Sequence, residues 1–248
     1  MSSTVESGHA KNIANFETLI SFCTGYGAKY NPANANIKLS ALQELLTKAQ
    51  ADMAALNATM PAYSQAVGIR EAAFEPLSRL VTRIINAFAA SGASEQSIDN
   101  AKTVGRKLQG RRAKSIAPPK PTTEGTPPEE APKTHSVSQM SFDNRIENLD
   151  RLIQILKAEP SYKPNEIELQ VATLETLLAD LRAKNTAVIN ATTPLSNARI
   201  VRNETLYTAP NNLKEAALDT KIYIKSLFGA SSSQYKQISG IRFVKPNT

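Results

Sequence analysis

Tyr30–Leu46, YNPANANIKLSALQELL, and Tyr162–Leu178, YKPNEIELQVATLETLL, lie 132 residues apart and read as copies of one another. Tyr30, Pro32, Leu42, Leu45 and Leu46 recur as Tyr162, Pro164, Leu174, Leu177 and Leu178, and Arg70 recurs as Arg202 in the same register. A repeat fixes the unit of folding, and the unit here is roughly a hundred residues, long enough to bury a core of its own. In both copies the proline stops helix propagation just after the tyrosine. Asn34 or Asn36, and Asn165, are then candidate N-caps for the helix that follows.

Working outward, Ile13, Phe16, Ile20 and Cys23 form one helical stripe before the first turn, and Ile146, Leu149, Ile153 and Leu156 form its counterpart. After the turn, the stripe from Leu39 through Leu42, Leu46, Ala49, Met53 and Leu56 to Val67 predicts a rod of some 35 residues, about 50 Å long. Leu174, Leu178, Leu181, Val188 and Leu195 trace a second rod. Pro61 and Pro194 fall inside these rods and predict a kink or a break in each. A third helix follows, carried by Phe74, Leu77, Val81, Ile84, Ile85 and Phe88 in one copy and by Leu213, Ala217, Ile224, Leu227 and Phe228 in the other. Each copy then passes through a Gly/Ser-rich turn into a short closing segment.

The expected fold class is therefore all-α, with two tandem copies of an antiparallel helical bundle joined by a Pro-rich linker. Residues 1–10 read as a mobile tail, 11–109 as the first bundle, 110–141 as the linker and 142–248 as the second bundle. The linker rests on Pro118, Pro119, Pro121, Pro127, Pro128 and Pro132 in a stretch with almost no large apolar residue, which cannot offset its own ordering entropy.

Composition supports a globular helical chain and narrows its function. Of 248 residues, 41% are hydrophobic and 21% charged, and there is no Trp. A net charge of +7, spread along the chain, suits solubility and mildly favours acidic or phosphate-bearing partners. Cys23 is the sole cysteine, which rules out an internal disulfide, and its apolar neighbours mark it as a small core residue. Neither a basic, apolar leader nor a long apolar span is visible, so a soluble cytoplasmic protein without membrane insertion is the expectation.

The run from Ser141 onwards, with SFDNRIENLDRLIQIL, YKPNEIELQVATL, ATTPLSNARIVRNETLY and YIKSLFGASSSQYKQISGIRF, resembles a family of bacterial all-helical proteins built from one or two copies of such a repeat. The first half shares the pattern more loosely, lacking the Leu-Tyr-Thr-Ala-Pro-Asn-Asn connection. The resemblance implies the duplicated helical fold and carries no activity, so it transfers no site residue.

Chemistry-bearing motifs are sparse. Only His9, His135 and Cys23 offer soft metal ligands, and they are scattered; no glycine-rich phosphate loop is present; neither histidine sits where a nucleophile would need an oriented base. No cofactor, metal or small-molecule substrate is therefore assigned, and no enzyme activity is expected. Tyr30 and Tyr162 read as packing residues at helix ends, and Arg70 and Arg202 as anchors of helix ends. The sharpest charged feature is Lys102, Arg106, Lys107, Arg111, Arg112 and Lys114, six cations in thirteen residues with no acid among them. These are the candidate phosphate contacts, without interleaved aromatic rings to stack on bases. Two functions follow. The first is a non-enzymatic structural or protein-interaction protein, whose tethered bundles meet a protein partner or each other with an avidity set by the linker. The alternative is a nucleic-acid-associated protein that uses the basic junction.

Overall fold

The computed structural model describes residues 4–111 and 140–246, with side chains from residue 8 onwards. All regular structure among these residues is helical. The elements are α1 (Thr4–Gly25), α2 (Leu39–Phe74), α3 (Leu77–Ala90), α4 (Glu95–Leu108), α5 (Phe142–Lys157), α6 (Val171–Asn203), α7 (Leu213–Phe228) and α8 (Ser233–Ser239). Most of the expected linker, residues 112–139, lies outside the described residues. No helix among the described residues is long and apolar enough to cross a membrane.

The turn that betrays the repeat is built the same way twice. Tyr30 Oη donates to the Ile37 carbonyl at 2.6 Å, and Tyr162 Oη donates to the Leu169 carbonyl at 2.8 Å. Each bond closes a seven-residue loop that ends in a 3-10 turn, Ala35–Ile37 in one case and Ile167–Leu169 in the other. Both tyrosines are buried, and their rings meet an aromatic edge: Tyr223 at 5.4 Å from Tyr30, and Phe88 at 5.6 Å from Tyr162. Asn34 does act as a cap, accepting from the Asn36 amide at 3.0 Å, but it caps the 3-10 turn and not the long helix.

Neither long helix breaks. The helix α2 runs for 36 residues through Pro61, and α6 for 33 residues through Pro194. A proline denies a hydrogen bond to the carbonyl four residues earlier, here that of Asn57 or Asn190. Pro61, Pro194, Asn57 and Asn190 are all exposed, so water is available to that carbonyl and the ladder continues on its buried side.

The compact units of the chain differ from the expected division into residues 11–109 and 142–248. The chain forms two compact units, Met1–Ser64 with Asn190–Thr248, and Gln65–Ile189. In the first unit α1 and the early turns of α2 bury Phe16, Leu19 and Leu42 against Leu206 and, from α7, Leu213, Ala217 and Ile224. In the second, the end of α2 with α3 and α4 buries Phe74, Val81, Phe88 and Leu108 against Leu149, Leu152 and Ile153 of α5 and Leu174 of α6. A continuous rod of about 54 Å cannot return its last residues to the core formed by its first. Each core is accordingly completed by helices from the other half of the chain.

The N-terminal tail is also corrected. Helix α1 begins at Thr4, and His9, expected to be mobile, is 1% exposed with Nδ1 2.8 Å from Tyr207 Oη. Asn12 fixes the same helix to the chain's other end, its Nδ2 donating to Tyr207 Oη at 2.8 Å and to the Val244 carbonyl at 2.7 Å. Cys23 is buried as expected, and that burial pushes its thiol up to about 11.

Two outcomes test this arrangement. A protease site introduced between residues 112 and 139 and cut in the folded protein leaves two fragments that co-elute in native gel filtration and separate only in denaturant; separation without denaturant would restore the independent bundles. Burial likewise pushes the Tyr162 phenol up to about 12, above its ordinary value near 10. Because the folded state favours the neutral phenol, this stability is fully present below about pH 10 and is lost as pH rises through 12. Tyr162→Phe should cost about 1–2 kcal/mol at neutral pH by stranding the Leu169 carbonyl. It should also make the alkaline fall in urea midpoint shallower, and an unchanged slope would remove this account.

Candidate functional site at the crossing of α3 and α4

Within the second unit, Ser94 starts α4 by accepting from the Ser97 amide at 3.2 Å. From there Lys102, Arg106 and Gln109 stand at i, i+4 and i+7 and share one face. Thr82 and Asn86 stand at i and i+4 on α3 and line the same groove. What lets the two helices approach is Gly105. A Cβ there would lie 2.2 Å from Ile85 Cδ1 and 3.3 Å from Val81 Cγ1, so the glycine hydrogen is the largest substituent the crossing accepts without a shift. Ile85 becomes the groove floor.

The end of α4 brings in a further cation. Gly110 adopts φ +66°, its amide donates to the Lys107 carbonyl at 3.2 Å, and the Arg111 amide donates to the Arg106 carbonyl at 2.9 Å. This pair of bonds is a Schellman motif, which reverses the chain and satisfies two terminal carbonyls. Arg111 is thereby returned to line the groove beside Arg106. A Cβ on Gly110 would lie 2.6 Å from Met140 Sδ, so the same turn also meets the residue just before α5.

The resulting groove holds about 270 Å³, lined by Thr82, Ile85, Asn86, Lys102, Arg106, Gln109 and Arg111. Three lining side chains are cationic and none is acidic. Lys102 Nζ lies 3.3 Å from the exposed Asp99, and Arg106 Nη2 donates to Thr103 Oγ1 at 2.8 Å. These are weak solvent-side contacts. Gln109 Nε2 donates to the Ser78 carbonyl at 2.9 Å and to Thr82 Oγ1 at 2.7 Å, which commits both groups to holding the helix ends together. The bond to Ser78 also sets the negative end of α4 beside the start of α3, whose positive end partly offsets it.

Of the six cations singled out by sequence, Lys102, Arg106 and Arg111 converge here. Lys107 is exposed off the groove, and Arg112 and Lys114 lie outside the described residues, as does His135. Sequence reading missed Thr82, Asn86 and Gln109, because only the Gly105 crossing brings α3 to these cations.

A second polar constellation lies in the first unit. Lys48 Nζ is 2.7 Å from Asp52 Oδ2 and 2.5 Å from Thr205 Oγ1, and Thr205 Oγ1 is 2.6 Å from Asp52 Oδ2. Thr205 sits in the π-helical turn Glu204–Thr208. The ion pair clamps this wide turn to α2, giving the inserted residue a charge-assisted partner. A shallow depression of about 500 Å³ lies along the same side of α2, lined by Ser40, Gln43, Glu44, Thr47, Lys48 and Ala51.

Of the two recurring arginines, Arg70 ties the end of α2 to α5 and α6. Arg70 Nη1 donates to Asn185 Oδ1 at 3.0 Å, with its guanidinium carbon 3.8 Å from the Phe142 ring centroid. Arg202 is 2% exposed and reaches Asn203 Oδ1 from both Nε and Nη2, at 3.2 and 3.0 Å. Among the described residues no group of three or more His, Cys, Asp or Glu side chains is placed to hold a metal ion. No protein-family model, curated protein or solved structure matches the chain.

The crossing gives a graded expectation. Gly105→Leu should destabilise the second unit by about 1–3 kcal/mol through overpacking. Gly105→Ala should be near neutral, because a gain of about 1 kcal/mol in helix propensity offsets the displacement of Ile85 Cδ1. Urea denaturation followed by circular dichroism checks both, and an unaltered midpoint in Gly105→Leu would contradict the close approach.

Proposed function

We propose that the chain is a structural or protein-interaction protein that presents helical faces to a protein partner or to another copy of itself, and that it is not an enzyme. The observation that carries this reading is the surface of α7. Its core face, Leu213, Ala216, Ala217, Thr220 and Ile224, is buried, yet Leu218 and Ile222, one turn apart, remain 44% and 66% exposed. Two exposed apolar side chains one turn apart leave surface to cover, and such a pair suits a partner helix or loop.

Two tandem copies of one helical repeat, related to the bacterial family described above, underlie this reading. The matched bonds of Tyr30 and Tyr162, each spanning seven residues to a 3-10 turn, support that duplication. The chain acts in the cytoplasm, through recognition alone and with no bound cofactor.

A nucleic-acid-associated role through Lys102, Arg106, Lys107 and Arg111, with Arg112 and Lys114 following in sequence, is the second reading. It is favoured by the convergence of three of these cations on one groove.

Comparing the tagged full chain with its Leu218→Ser/Ile222→Ser variant separates the two readings. Quantitative affinity purification and sedimentation velocity should show a partner, or self-association, weakened at least tenfold by the α7 substitutions and unaffected by Arg106→Ala/Arg111→Ala. An association indifferent to α7 would defeat the first reading.

A further inference from the structure

We propose that the α3–α4 groove is a binding site for a compact phosphate group, such as a phosphate monoester or a short oligophosphate. It shares cations with the nucleic-acid reading but names a different ligand, and it stands or falls separately.

Three observations converge on this ligand class. The first is charge geometry. Lys102 and Arg106 are one helical turn apart on α4, and the Schellman turn at Gly110 folds Arg111 back beside them, so three cations face a single space from a rigid helix and a hydrogen-bonded turn. Two guanidinium forks and an ammonium suit a tetrahedral dianion, whose oxygens accept several charge-assisted hydrogen bonds at once. The second is the neutral side of the groove. Gln109 is held by Ser78 and Thr82, while the exposed amide of Asn86 keeps its donors for a ligand oxygen. The third is size and lining. At about 270 Å³, floored by Ile85 and without an aromatic ring, the groove lies below the usual range for larger organic ligands and offers no surface for stacking a base.

The blander role for these cations is to complement the α4 dipole. That role accounts for Arg106 and Lys107 in the last turn. It does not require Arg111 to turn back onto the face that carries Lys102, nor an acid-free lining.

Isothermal titration calorimetry of the full chain with sodium pyrophosphate, at low and at physiological salt, tests the site. Arg106→Ala/Arg111→Ala should weaken binding at least tenfold, and Asn86→Ala severalfold. Lys29→Ala/Lys107→Ala, which removes the same charge from residues that do not line the groove, should change it less than threefold. Circular dichroism confirms that each variant is folded. Equal losses from both charge pairs, or no pyrophosphate binding by the folded wild type, would overturn the proposal. A parallel titration with a short oligonucleotide lacking terminal phosphates separates the readings. Groove-dependent pyrophosphate binding without oligonucleotide binding supports the compact site and ends the nucleic-acid role. Oligonucleotide binding without pyrophosphate binding ends the compact site and leaves the nucleic-acid role standing.

Discussion

An α-helix of 36 residues that does not break cannot fold its last turns back onto its first, and this single constraint decides how the chain closes its cores. Had α2 broken at Pro61, the helices after it could have folded back onto α1. It does not break, because the proline and the carbonyl it deprives both face water and the buried side of the ladder is left whole. The same logic at Pro194 sends α7 and α8 to the core begun by α1. Neither residues 11–109 nor residues 142–248 therefore contain a complete apolar interior, because each core draws on both.

The polar residues that recur between the halves serve this closure. Tyr30 and Tyr162 tie their loops to a carbonyl seven residues on, and Arg70 lies over Phe142 while bonded to Asn185. The two tyrosines are buried with their hydroxyls bonded, because an unsatisfied donor or acceptor costs more than a formed bond returns. Closure leaves Leu218 and Ile222 of α7 exposed, and it leaves three cations lining one groove at α3 and α4.

Much of the helical content was legible as periodicity. The stripes Ile13–Phe16–Ile20–Cys23 and Leu77–Val81–Ile84–Phe88 are buried as their spacing demands. The pairing of helices was not, because an apolar stripe states that a face is covered and never by which helix. Hydrophobic spacing was also silent at Pro61, where the outcome depended on which side of the rod the proline occupied. For the groove, the cations were visible as a run, whereas Thr82 and Asn86 are ordinary helix-surface residues. Gly105 was the available clue, a glycine amid a helical pattern that marks a close approach.

Met140 approaches Gly110 so closely that a Cβ there would lie 2.6 Å from its Sδ, and this joins the exit of α4 to the entry of α5. The end of α4 and the start of α5 are packed side by side in one core, with Leu108 and Ile146 both buried in it. A substitution at Gly110 would therefore act on two things at once, the left-handed turn that ends α4 and the approach of the residue that leads into α5.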